Sequence, residues 1–465
     1  MQKPRRRLLA SVRRALHADA RSATPTEALA VVDDGTAVRV LDLAMRIAES
    51  MLGVGASAHE VTLAATRVAE HYGLNPTHVD VTYNSITASF HRSGEDRPIT
   101  LLRVVRQAVT DHAKLQRLQA LVTDIGDGLP LEEARAEYRL IRRTPFLYRP
   151  VVVIVSRALL AVGVAVMFGA SPTILGATFA AALAAAATQA WLMRLRVPSF
   201  FSQIAGALVI TLVAVAVSEL AKLGIGPFED VRPSVIVASG IVMMFAGMTV
   251  VGAAQDAIDG FALTAGGRIL ELIMQTLGVV IGIVVGLGLT RLFGLSIDLP
   301  QHAQQFAGPG HQLVGAVVAA VAVALLNGGG ARILAVSAVL SAIAMLGHFL
   351  SIGVGIEEAA ASGIGALVAS FVGTLVAHRL HVPSVAVTTA AIIPLVPGGA
   401  VFRGLLALAQ SDGSVPVLMT GAGALVLAGM IGVGLAVGAS LGLYLGTPVR
   451  ATLDGVVRSR MRAGR

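Results

Sequence analysis

The chain has 465 residues, 55% of them hydrophobic and 14% charged, with a mean hydropathy of +0.76. A soluble globular protein carries nearer a quarter charged residues, so an ordinary soluble fold is excluded for the chain as a whole. The formal net charge is +8, and the absence of cysteine excludes disulfides and thiolate metal sites while leaving the redox compartment undetermined.

Charge is segregated along the chain. Residues 1–149 hold 21 of the 36 Lys and Arg and 17 of the 28 Asp and Glu. The first third therefore reads as water-soluble and the rest as a membrane region. The opening "MQKPRRRLLASVRRALHADARS" is basic but has no apolar run long enough for a signal peptide. Residues 1–36 are expected to form a disordered basic tail that anionic membrane lipid attracts.

Residues 37–149 carry α+β patterning. "AVRVLDLAMRIAESMLGVGAS" and "AHEVTLAATRVAEHYGL" are amphipathic helices, and "HVDVTYNSITASFHRSGEDRPITLLRVV" alternates like a hairpin around "HRSGEDRP". Helices are expected from Asp111 to Asp127 and from Leu131 to Arg142. His59-Glu60 lacks the second histidine of the zinc-protease motif, since Leu63 stands there, and Gly53-Val54-Gly55 lacks the rest of a dinucleotide fingerprint. No nucleophile–base pair and no P-loop is found. The sequence thus points away from an enzyme, a bound cofactor or a metal, and a basic patch interleaved with aromatics for nucleic acid is missing.

From Val151 onward ten segments approach the ~20 residues needed to span a bilayer. They run over 151–169, 173–192, 199–221, 234–255, 269–293, 312–326, 332–350, 356–377, 384–409 and 416–446. Basic residues alternate between the connections. Arg142, Arg143, Arg149, Arg194, Arg196, Arg268, Arg332, Arg379 and the "VRSRMRAGR" tail fall on one side, against Lys222, Arg232, Arg291 and Arg403 on the other. The positive-inside rule then places both termini in the cytoplasm of a bacterial-type inner membrane.

An internal repeat divides the spans. "RPSVIVASGIVMMFAGM" from Arg232 resembles "VPSVAVTTAAIIPLVPG" from Val382, with Pro233 and Pro383 in the same register. Gly278, Gly282 and Gly286 recur at fours, as do Gly434, Gly438, Gly442 and Gly446, a spacing that lets another helix backbone approach closely. Five spans per half is an odd number, so the halves must be oppositely oriented, as in secondary transporters. The expected architecture is a membrane α-helical fold: a cytoplasmic α+β domain (37–149), two inverted five-helix modules (150–299 and 300–447) and a basic cytoplasmic tail (448–465).

"AIIPLVPGGAVFRG" sits inside the ninth span. Pro394 and Pro397 should free the carbonyls of Ala390 and Ile393. Gly398 and Gly399 would then begin a second half-helix whose unpaired N–H groups suit a carboxylate, with Arg403 a turn further on. Thr388 and Thr389 add hydroxyls upstream. The competing reading is a proline kink satisfied by neighbouring helices. Asp256, Asp259, Arg268, Glu271 and Gln275 cluster between spans four and five, where they could take protons, bind an ammonium group or simply line a solvated loop. Glu357, Glu358 and His348 read as interfacial.

As an ordered set, "GAS" at Gly55–Ser57, Asp256 and Gly260 with Arg268 downstream, and "PLVPG" followed by "FRG" resemble the threonine/serine exporter family. The resemblance covers roughly residues 40–445. It implies export of small amino acids driven by proton-motive force; relatives split between two subunits are associated with dicarboxylate export. Unlike the second half, the first has no proline–glycine break, which leaves the symmetry of the halves open. The expected partners are a small amino acid, protons and membrane lipid, with homo-oligomerisation left open. Gly398, Gly399 and Arg403 would hold the carboxylate, Thr388 and Thr389 the hydroxyl, and Asp256 or Glu271 the ammonium or the coupling proton. A dicarboxylate exporter and a membrane-anchored sensor using residues 37–149 are the rival readings.

Overall fold

The computed structural model describes residues 33–91, 97–106, 109–224, 232–244, 247–295, 306–380, 382–409 and 414–463. Most of the expected basic tail lies outside these residues.

The described residues begin with helix α1 (Asp34–Gly53), capped by the Asp33 side chain accepting from Thr36 N–H. Helix α2 (Ala58–His71) follows, with Ser57 as its N-cap accepting from Glu60 N–H. A three-stranded antiparallel sheet comes next, β1 (Thr77–Thr82), β2 (Ser85–Phe90) and β3 (Ile99–Val104), in the order β1-β2-β3. The sequence suggested one hairpin around residues 91–98, and β2–β3 is that hairpin. A second turn was hidden in the unbroken alternation: Tyr83 takes a left-handed backbone (φ 51°) and pairs Thr82 with Ser85 across a two-residue loop. Helices α3 (His112–Gly126) and α4 (Leu131–Arg143) complete the domain. Its core is built from alternate turns of the amphipathic helices, including Leu41, Met45, Val61, Leu118 and Ile125, against Ile86 of the sheet.

Among the described residues the further α-helices are α5 (Pro150–Met167), α6 (Pro172–Arg194), α7 (Ser199–Lys222), α8 (Pro233–Met244), α9 (Gly247–Ile258), α10 (Ala262–Leu292), α11 (Pro309–Leu326), α12 (Ala331–Gly353), α13 (Glu358–Leu380), α14 (Ser384–Ile392), α15 (Gly398–Ala409) and α16 (Val415–Ala463). Eight of the described helices are long and apolar enough to cross a membrane, or nine when the bent stretch Ala386–Leu408 is taken as one span. The expected fourth span is instead two shorter helices, α8 and α9, on either side of residues 245–246. The fifth begins seven residues earlier than its apolar run suggests, because the polar Ala262–Arg268 segment is already helical. The tenth continues as helix through Pro448 into the basic tail.

Packing follows the small residues. A Cβ on Gly278 would stand 2.9 Å from the Phe200 carbonyl oxygen, and one on Gly286 2.9 Å from Thr211 Cβ, so α10 lies backbone-close to α7. Gly434, Gly438 and Gly442 do the same for α16 against the Ala359, Gly363 and Leu367 carbonyls of α13. Between the halves, Gly163 of α5 and Gly315 of α11 meet each other. The packing pairs recur. In the first half α5 packs on α6, α6 on α7, α8 on all three, α7 on α10 and α9 on α10. In the second, α11 packs on α12, α12 on α13, α14 on all three, α13 on α16 and α15 on α16.

The N-terminal α+β domain rests on both halves of the helical region. On the first, Tyr83 N–H donates to Thr264 Oγ1 (3.0 Å), whose hydroxyl donates to the Val81 carbonyl (3.1 Å), and Phe261 packs against the domain core. On the second, His112 N–H donates to the Asn327 carbonyl (2.8 Å) and Tyr148 O–H to that of Gly329 (2.7 Å). Gly328 between them has φ +70°, and a Cβ there would stand 2.9 Å from the Phe146 ring.

Candidate functional site

The ninth segment is interrupted. Helix α14 tightens into a single 3-10 turn over Ile393–Leu395, and α15 leaves at 51° to the incoming direction. The Ile393 carbonyl freed by Pro397 accepts from Val396 N–H (3.0 Å). Gly398 N–H is not free as the sequence suggested, since it turns back to the Val396 carbonyl (2.7 Å). The first bond of the second half-helix runs from Val401 N–H to Pro397 C=O (3.0 Å). The amides preceding it have no acceptor within the helix, which leaves those of Gly399 and Ala400 at the positive dipole end.

This break borders a small cavity lined from both halves, by Val164, Phe168 and Val242 of the first and by Pro394, Gly398 and Gly399 of the second. Its volume, about 20 Å³, holds roughly one water, so the conformation described is closed to an amino acid. Gly398 is required by contact: a Cβ there would run into the Val242 side chain. Arg403 is half-buried, with Nη1 3.6 Å from where a Gly399 Cβ would lie, and it makes no ion pair among the described residues. Pro397 is buried beside these groups. Thr388 and Thr389 do not join the lining. Their hydroxyls donate to the Ser384 (2.8 Å) and Ala386 (3.4 Å) carbonyls of their own helix.

The acidic cluster assembles elsewhere, against the soluble domain. Asp256, at the end of α9, is fully buried, and Arg268 Nη1 stands 3.0 Å from its Oδ2. Its carboxylate faces Ala58 N–H at the start of α2, although neither oxygen has an aligned hydrogen bond. Burial pushes the carboxyl of Asp259, in the following turn, upward, and the facing His59 offsets only part of that push. Glu271 accepts from Tyr83 O–H (3.3 Å) and from Gln275 (3.1 Å). None of these side chains lines the cavity. Glu357 and Glu358 are exposed, whereas His348 is part-buried with Nδ1 3.4 Å from Ser362 Oγ.

Two family profiles match the chain. One, described as "Putative threonine/serine exporter", covers residues 42–290, and the other, "Threonine/Serine exporter, ThrE", covers 312–441. The chain belongs to the threonine/serine exporter family. The "Probable threonine/serine exporter" of Mycobacterium tuberculosis is 32% identical over 446 residues, covering 90% of this chain and 78% of that protein. The "Threonine/serine exporter" of Corynebacterium glutamicum is 32% identical over 402 residues, covering 83% and 80%. No solved structure matches. The family match makes this a multi-pass transporter of a bacterial type rather than a member of an enzyme family.

Two features of this exporter-family chain escape sequence reasoning. Glu60 completes a capping box with Ser57, a spacing (S-x-x-E) that was readable beside the "GAS" motif. Glu60 Oε2 is enclosed without a partner, and burial pushes the carboxyl up to about 7. The second is a polar chain inside the first half. Arg157 Nη1 donates to Gln189 Oε1 (3.1 Å), Gln189 Nε2 to Gln203 Oε1 (3.0 Å), and Gln203 Nε2 to the Met244 carbonyl (3.4 Å). Its readable signal was an ionisable residue inside an apolar span.

Proposed function

We propose that this protein is a secondary transporter exporting small polar amino acids of the threonine and serine type, coupled to proton-motive force. The observation that carries the reading is the interrupted ninth segment. Gly399 borders a cavity walled by both halves, and the Gly399 and Ala400 amides and the Arg403 guanidinium, which have no hydrogen-bond or ion-pair partner among the described residues, lie together at the start of the second half-helix. A carboxylate placed there would meet two backbone donors, a dipole end and a cation. The names of the two bacterial relatives supply the substrate class.

The duplicated packing pairs support two five-segment halves, and the shared proline register with an odd number of spans supports their inversion. In this reading α8 and α9 form the fourth of ten spans, both termini are cytoplasmic, and closure around the cavity alternates between the two faces. The Asp256–Arg268 pair with Asp259 and Glu271 carries coupling through the docked domain. Because these groups lie off the cavity, they do not hold the substrate ammonium in this conformation.

One observation favours a second reading. No carboxylate lines the cavity among the described residues, a property that a dicarboxylate site would share. Counterflow of radiolabelled amino acids and dicarboxylates in proteoliposomes, with and without a pH gradient, separates the two. Uptake of threonine or serine, accelerated by the gradient, is expected. Uptake of dicarboxylates alone overturns the amino-acid assignment, and indifference to the gradient overturns the coupling.

A further inference from the structure

Arg157 sits on α5 seven positions beyond Pro150, inside an otherwise apolar span. A charge at such a depth costs several kcal/mol unless it is partnered. Its recorded contact is nevertheless to a neutral amide, and no carboxylate pairs with it among the described residues. One of five guanidinium donors is used in this way.

The position of Arg157 gives that unspent capacity a direction. Arg157, Val164 and Phe168 are spaced by seven and four, so they share one face of α5, and the latter two wall the cavity at the broken ninth segment. Arg157 lies about 10 Å from Val164 along the helix, toward the end that follows the soluble domain. The polar chain ends on a helix that also reaches the cavity, since its last acceptor, Met244, is two residues from the cavity-lining Val242 on α8. Gly206 leaves room for this arrangement: a Cβ there would stand 2.8 Å from Gln189 Nε2 and 2.9 Å from the Met244 methyl. The chain of amides holds one edge of the guanidinium and ties it to the carbonyl end of α8. The negative end of that helix dipole offsets part of the charge while the site is empty.

We propose that Arg157, oriented by Gln189 and Gln203, is a carboxylate-binding site on the cytoplasmic approach to the cavity. It takes the substrate carboxylate before the latter passes to Gly399 and Arg403. The planar fork suits bidentate carboxylate recognition, and the amides fix its plane. This inference rests on the reading above that the substrate carries a carboxylate; it does not depend on which one.

The test is arginine-selective modification of the purified full-length protein with phenylglyoxal, read at the Arg157 peptide by mass spectrometry. Ligand-free protein should be modified. Saturating threonine or serine should slow modification at least five-fold, and threoninol, which lacks the carboxylate, should not. Protection by succinate alone keeps the Arg157 site and removes the amino-acid reading. No modification without ligand, or equal rates with every ligand in protein that shows counterflow, overturns the proposal. Arg157→Lys and Arg157→Gln provide a second measurement. Each should raise the half-saturating concentration in counterflow about ten-fold with little loss of maximal rate, whereas a purely structural anchor would lose rate or yield at unchanged half-saturation.

Discussion

Arg268 reaches back across the turn after α9 to stand 3.0 Å from Asp256, and the pair closes the seam between the membrane helices and the start of α2. Removing one partner of such a pair leaves a buried charge uncompensated, at a cost on the order of 3 kcal/mol. Asp256→Asn and Arg268→Gln should each lower the melting temperature of the full chain, and the double variant should lose less than the sum. Asp256→Asn should also impair efflux more than Glu357→Gln or Glu358→Gln, which alter exposed groups. Wild-type efflux and pH dependence in Asp256→Asn would remove this pair from coupling.

Gly252 offers a milder probe of the same pair. A Cβ there would stand 2.6 Å from Arg268 Nη1, so Gly252→Ala should push the guanidinium off Asp256 without altering any charge. The expected result is a partial copy of Arg268→Gln in both stability and efflux. Unchanged behaviour would show that the Arg side chain finds a second route to the carboxylate.

At the interrupted segment the two glycines should respond differently. Gly398→Ala collides with Val242 across the two halves, whereas Gly399→Ala meets only Arg403 Nη1 at 3.6 Å. Gly398→Ala should therefore reduce transport at least ten-fold and Gly399→Ala only a few-fold. Replacing Pro394, Pro397, Gly398 and Gly399 together by Ala restores two backbone donors and favours helix by about 1 kcal/mol per glycine. That protein should insert yet fail to bind substrate, and a folded variant with wild-type transport would show the break to be a packing kink.

Two buried groups set opposite pH trends in the soluble domain. The folded chain holds the Glu60 proton up to about pH 7, while the unfolded chain releases it near 4.5, so Glu60 lowers stability as pH rises through that window. Glu60→Gln should raise the stability at pH 8 by up to about 3 kcal/mol, read as a higher melting temperature, and change little below pH 4.5. Burial pushes His112 down to about 4, so its contribution is lost as pH falls from about 6.5 toward 4. His112→Gln should flatten that acid loss. Melting curves of the full chain across pH 4–8 test both; parallel curves for wild type and either variant would contradict the corresponding assignment.

Sequence periodicity alone located most helices within a few residues, because lipid-facing and core-facing positions both demand apolar side chains over a fixed length. The ninth break was legible for a different reason: Pro394 and Pro397 remove donors wherever they stand. What lay beyond reach was long-range. The Thr264–Tyr83 and His112–Asn327 contacts join residues 181 and 215 positions apart (264 − 83 and 327 − 112), and no local pattern encodes them. Thr388 and Thr389 show a further limit, because a hydroxyl in an apolar helix can donate to the preceding turn, as both do, without any local pattern announcing it. Arg157, Gln189 and Gln203 sit singly on three helices, so only their packing reveals a chain.

If the two halves rock against each other, a body fastened to both cannot stay fastened to both. The N-terminal domain grips the first half through a threonine held in both directions and a phenylalanine packed against its core. It grips the second through hydrogen bonds to the carbonyls of a single tight turn at Asn327 and Gly329. Phe146 of the domain also lies against Gly328 of that turn. In a rocking transport cycle the domain would then travel with one half as a passenger and part from the other as a latch.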